Sequence, residues 1–354
     1  MNTLFEKIKT PFQTQSQQLV INVDAAKKEE VTQMFQLVLE QYMPSMLTEL
    51  TGRVSTLEQA FIRNTIQTDP QFQCLKNPAT HSFINTAVRA AAETSDEKDL
   101  ELLGSLLAER NRREGNKRIC LGIKKAIEVV PYISDEDLCA ITVVNIIFRF
   151  LRYFPDLQKT LNYADEIFSK LPLDILPKDD LWIDNMQSLN AVVKSQGRFK
   201  DFNKSIVLLY RKMILVGIEK SSPAYDEAIK LLNTIHLSSD HTLLENPLCP
   251  NHVLLPVLEE NLGNAQIIRK EGNRPLTEEE HAFLKNIFKL YEQEENKLIL
   301  AGQTFIQEWN KRPSLKKIGE WWGTFSKKSF DLMPIGEALA YVNAKHYIQE
   351  LTLD

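Results

Sequence analysis

Three of the chain's six histidines and one of its four cysteines fall together as His236, His241, Cys249 and His252. Imidazole and thiolate are the donors zinc prefers, and a loop rich in Ser, Asn and Pro can wrap such ligands around a tetrahedral ion. The spacing matches no standard finger, so no cofactor is predicted and zinc stays only the ion that these donor types could hold. The competing reading is a polar surface loop with one buried cysteine. A second set of chemistry-bearing residues runs from Trp309 to Phe330. Here Lys311, Arg312, Lys316, Lys317, Lys327 and Lys328 oppose Glu320 alone, interleaved with Trp309, Trp321, Trp322, Phe325 and Phe330. Cations attract phosphates, and aromatic faces stack on bases or settle into a membrane interface. The binding residues this predicts are Lys311, Arg312, Lys316, Lys317, Trp321, Trp322, Lys327 and Lys328, facing nucleic acid or an anionic membrane. The alternative is that the rings anchor the core and the cations are their solvated flanks.

Two smaller clusters carry weaker signals. Asp174, Asp179, Asp180 and Asp184 are paired acids able to bind a metal or do acid–base work, but acids at a helix start also complement its dipole. Arg110, Arg112, Arg113, Lys117 and Arg118 surround Gly115 at an expected helix–helix turn, where cations near a helix C-terminus are ordinary. Phosphate-loop, dinucleotide, hydrolase-elbow, zincin and EF-hand motifs do not occur, which removes the usual support for an enzyme.

The elements that position these residues are helical. The chain of 354 residues has 43% hydrophobic and 25% charged residues, the balance of a globular protein. Twelve glycines are too few for a hairpin-rich β protein, which needs many positive-φ positions. The formal net charge of −5 argues against generic nucleic-acid binding while leaving local basic patches open. Met1–Thr10 lacks an apolar run of secretory length, and the most apolar windows, Ile141–Phe148 and Ser205–Ile218, fall short of the about 20 residues of a membrane span. A cytoplasmic location follows as an expectation, with reduced, unpaired cysteines.

Apolar residues recur at helical spacing from Val31 through Met34, Phe35, Val38 and Leu39, before Pro44 interrupts. Helices are expected over about 55–68, 80–93 and 97–113, the last opened by Thr94-Ser95-Asp96. Three more lie between Gly115 and Leu171, with Ser134 capping the middle one. Others are expected over about 178–195, 202–219 and 221–235, followed by a long loop from Leu237 to Pro256. Thr277 and Glu280 form a capping box that launches a helix reaching toward Asn310. Leu19–Val23 is the one good strand signal. The expected fold is all-α: a multi-helix array or two packed helical regions, with at most a short N-terminal β piece. Its parts are an arm over 1–24, a helical region over 25–172 and another over 173–354, divided at the prolines Pro172 and Pro177.

Three passages together resemble an uncharacterised family of helical bacterial proteins, some of them connected with phage defence or mobile elements: Leu102–Arg110 leading to Pro131, Leu181–Leu189, and Leu332–Ala340. None is a chemical motif, and the family lends no catalytic residue. The resemblance and the missing motifs favour a non-enzymatic interaction module, a sensor or adaptor in a bacterial multi-component system whose setting is antiviral defence, with a partner protein. The alternatives are nucleic-acid or membrane binding through 309–330, and an enzyme with an unfamiliar helical site that uses Asp184 or the His236–His252 loop.

Overall fold

The computed structural model describes residues 25–40, 47–152, 154, 156–195, 201–269, 272–325 and 328–348. The Leu19–Val23 strand, Pro44 and Lys327 lie outside them. The chain is predominantly α-helical, with a few short strands in small sheets. In the first compact unit (residues 1–145, 181–193 and 331–354) the helices are α1 (Ala25–Leu39), α2 (Leu47–Thr65), α3 (Pro78–Glu93), α4 (Glu97–Arg112), α5 (Lys117–Val129), most of α6 (Asp135–Arg149), α8 (Leu181–Ser188) and α15 (Pro334–Tyr347). The second unit (146–180 and 194–330) holds α7 (Leu157–Ser169), α9 (Phe202–Leu209), α10 (Pro223–Thr234), α11 (Ser239–Thr242), α12 (Glu278–Lys289), α13 (Glu295–Asn310) and α14 (Pro313–Gly323).

Short polar side chains start these helices by accepting otherwise orphaned amides. Asp96 takes the Lys98 N–H at 2.9 Å, Asp156 that of Lys159 at 2.7 Å, and Ser134 that of Asp137 at 3.1 Å. The helical stripes then bury. In the first unit α2 packs on α4, and α5 packs on α3, α4 and α15. Phe61, Leu57, Leu103, Leu106, Ala126 and Ile127 meet water hardly at all. Gly104 allows the α2–α4 approach, since a Cβ there would lie 2.5 Å from that of Ala60 and 2.7 Å from the Leu57 carbonyl oxygen.

Aromatic rings dominate one core of the second unit. Phe202, Tyr210, Phe305, Trp309, Trp322 and Phe325 are all buried; Phe202 lies 5.8 Å from Trp309 and 5.7 Å from Trp322 between centroids. A neighbouring cluster of Ile218, Leu232, Val253, Leu262, Leu284 and Ile287 packs α10 and α12 against β2 (Ile218–Glu219) and β4 (His252–Leu254).

Several expectations need correction. The helix expected over 178–195 stops at Ser188, because Asn190 adopts φ +56° and the chain continues as β1 (Val192–Lys194), which pairs with β7 (Phe330–Leu332). That over 202–219 stops at Leu209. The expected loop 237–256 contains α11, β3 (Leu244–Glu245) and β4; β4 is the middle strand of an antiparallel sheet ordered β2-β4-β3. A further hairpin pairs β5 (Gln266–Arg269) with β6 (Gly272–Pro275). The capping box at Thr277 and Glu280 is present, but its helix ends at Lys289 and a separate one begins at Glu295. The division near residue 172 falls inside the second unit: Leu173 and Leu176 are buried around a 3-10 turn, so the prolines shape a packed connector.

Candidate functional site

The basic aromatic segment resolves into core and flank. Trp309, Trp321, Trp322, Phe325 and Phe330 are buried, and two indoles are held by backbone: Trp309 Nε1 donates to the Leu315 carbonyl at 2.8 Å and Trp321 Nε1 to that of Pro177 at 3.0 Å. Lys311 pairs with Glu308, Lys316 with Glu320, Lys317 with Asp174 and Lys328 with Asp180. Arg312 is buried and donates to Asn162, Gln158 and the Glu308 carbonyl. These rings stack on one another, and these cations already have acidic or carbonyl partners. Asp174 and Asp180 are thereby occupied, whereas Asp184 belongs to α8 in the other unit.

The basic cluster of the first unit is internal too. Arg112 and Arg113 both reach the buried Glu109 at 3.1 and 3.0 Å, with Lys345 at 3.6 Å; Arg110 lies 4.9 Å over the Phe83 ring and donates to Thr80. Burial pulls the Lys345 ammonium below its ordinary range. Lys117 and Arg118 stay exposed in the first turn of α5.

The four residues of the His/Cys loop do not converge. His236 and His241 are exposed, and Cys249 is buried, which pushes its thiol up and away from the thiolate form. His252 groups instead with two carboxylates, Glu219 and Glu292; one ligand atom from each lies within 4.8 Å of the others. Backbone pairing builds this cluster. Glu219 faces His252 across the β2–β4 ladder, and the Glu292 N–H donates to the Gly217 carbonyl at 2.8 Å. Gly217 must be glycine: its φ is +83°, and a Cβ would collide with the Val253 carbonyl oxygen. Buried Asn246 ties the same turn down, donating to the Leu215 and Val216 carbonyls at 2.8 Å and accepting from Leu248 N–H. Lys297 of α13 reaches Glu292 at 2.8 Å, and its ammonium holds that carboxyl below the usual range. Sequence spacing shows none of this, because Glu219 and Glu292 are distant in the chain, the first on a two-residue strand and the second in the link between α12 and α13.

A groove of about 500 Å³ opens on the first unit, lined by Ser82, Asn85, Arg89 and Glu93 of α3, Lys124 and Glu128 of α5, and Tyr132. Its acids are engaged: Glu93 accepts from the Tyr132 hydroxyl, and Glu128 pairs with Lys125 at 2.6 Å. Arg89 and Lys124 carry no ion pair among the described residues, and the buried Asn85 Oδ1 accepts no hydrogen bond among them. The groove therefore offers two cations without an acidic partner among the described residues, beside Glu93 and Glu128. Its size is that of a small-molecule or side-chain pocket.

A family model described as ":-like" matches residues 23–354. The chain belongs to this family. No curated protein and no solved structure matches it. Family membership spans both units, and no helix among the described residues is long and apolar enough to cross a membrane.

Proposed function

We propose that the chain is a non-enzymatic interaction module, a sensor or adaptor, that receives an anionic group of a partner protein in the groove between α3 and α5. The observation that carries this is the charge arrangement of that groove: Glu128 is paired with Lys125 and Glu93 accepts the Tyr132 hydroxyl, while the Arg89 guanidinium and the Lys124 ammonium have no acidic partner among the described residues. A carboxylate entering there gains two charge-assisted partners without breaking an existing pair. The setting that the family resemblance suggests is a bacterial multi-component system in the cytoplasm, of the kind used in antiviral defence. Nucleic-acid or membrane binding through 309–330 has less support, because its rings are buried and its described cations are paired.

Affinity capture with the intact wild-type chain and the R89E/K124E variant, both checked by circular dichroism, tests the reading. A stoichiometric partner retained by wild type and lost by the folded variant supports it. Equal capture by both, or substrate turnover by the isolated chain, overturns it.

A further inference from the structure

The Glu219, His252 and Glu292 cluster in the second unit carries chemistry that a binding groove in the first does not use. His252 is buried, and its Nδ1 lies 2.9 Å from the Pro250 carbonyl oxygen. A carbonyl only accepts, so Nδ1 carries the hydrogen, and the opposite nitrogen is the one free to bind a cation. Fixing Nδ1–H on a backbone carbonyl is how metal-ligating histidines are commonly oriented. Nε2 lies 3.2 Å from Glu292 Oε2, a gap that a second ring proton or a metal ion can bridge.

We propose that Glu219, His252 and Glu292 bind a first-row divalent metal ion, with Lys297 occupying the place of the cation in its absence. Bonds of about 2.0–2.2 Å in tetrahedral array set neighbouring donors roughly 3.3–3.6 Å apart, close to the His252–Glu292 separation. Glu219, the exposed member, closes the remaining gap by side-chain rotation. One imidazole with two carboxylates suits zinc and its first-row neighbours better than magnesium or calcium, which favour all-oxygen shells. The local charge points the same way. Lys297 is a single positive charge set 2.8 Å from Glu292, 3.8 Å from Glu219 and 3.9 Å from Glu294, so two of the three negative charges are left uncompensated. A divalent ion corrects this balance, and the partly exposed lysine is able to withdraw toward Glu294. This ligand set keeps His252 of the sequence-predicted residues and replaces His236, His241 and Cys249 with carboxylates brought in by the fold.

The test is equilibrium dialysis of untagged, chelator-stripped full-length chain against zinc chloride, with bound metal counted by atomic emission. The expected result is one zinc per chain. Affinity falls at least about tenfold in H252Q and in E292Q, since even partners outside the ligand set act on that scale. K297M binds about tenfold more tightly, because a competing cation is gone; this variant keeps all three ligands and serves even if H252Q fails to fold. No bound zinc, binding unchanged in E292Q, binding that follows H236A/H241A, or K297M that does not tighten overturns the proposal.

Discussion

Glu280 performs two tasks with one carboxylate. It accepts the Thr277 N–H at 2.8 Å, which closes the capping box of α12, and it takes both guanidinium nitrogens of Arg274 at 2.7 and 2.5 Å. Arg274 above all holds its pKa near 2, well below the ordinary 4.5. A group whose folded pKa is depressed supplies stability above its unfolded value and loses it as the pH falls toward the folded one. Urea titrations of the E280Q variant across pH 2–6 should therefore show a shallower acid slope between about 4.5 and 2, and T277A should cost about 1 kcal/mol at neutral pH through the lost cap. Asp99 has the opposite sign. Burial raises it from 3.8 to about 6, despite the hydrogen bond from Thr94, so its charge opposes folding above that pH. D99N should raise stability at pH 8 by up to about 1 kcal/mol, a figure discounted for the water that still reaches the group, and the gain should shrink toward pH 4. The cap at Thr277 was legible because it is a local phrase, one hydroxyl and one acid three residues apart. Asp99 was not legible, since only the packing around α4 decides how much water it keeps.

At the level of elements, two glycines hold different contacts. Gly104 lets α2 and α4 approach closely, and G104A forces a methyl into backbone at 2.7 Å; a loss of roughly 1–3 kcal/mol in thermal or urea unfolding is the expected outcome. Gly217 stands at the entry to β2 with a left-handed φ. G217A should misplace Glu219 against His252 and weaken zinc binding, whereas G104A, which belongs to the other unit, should leave metal affinity alone. Helices from α3 to α7 were readable because periodicity, polar caps and prolines mark them, whereas α2 starts at Leu47, ahead of the expected 55. The strands escaped: a two-residue strand such as Ile218–Glu219 has no period to detect. The apolar run Ser205–Ile218 reads as one helix, although Met213, Ile214 and Val216 are buried outside any helix and Gly217 turns the chain. The proposed metal ligands were only partly visible for the same reason. His252 stood out by type, but its two partners are common glutamates whose meaning comes from the β2–β4 register and the Glu292–Gly217 hydrogen bond.

At the scale of the molecule, the organisation is discontinuous in a way that composition does not mark. The chain changes unit after Asn145, Asp180, Val193 and Phe330, within or beside regular elements, while the prolines near 172 lie in a packed turn. The two basic clusters sit in different units, Arg110–Arg118 in the first and Lys311–Lys328 in the second. α15 belongs with α4 and α5 although it follows α14 in sequence, so hydrogen exchange over 334–347 should track residues 100–129 in its protection and denaturant dependence. Protection that tracks 295–323 instead would contradict this grouping. This arrangement bears on biogenesis. A ribosome delivers the chain from the N-terminus, and Gly122 of α5 meets its neighbour Pro334 only after more than two hundred further residues have been made. The seam that α15 covers on α4 and α5 therefore stays open until residues 334–347 have been made.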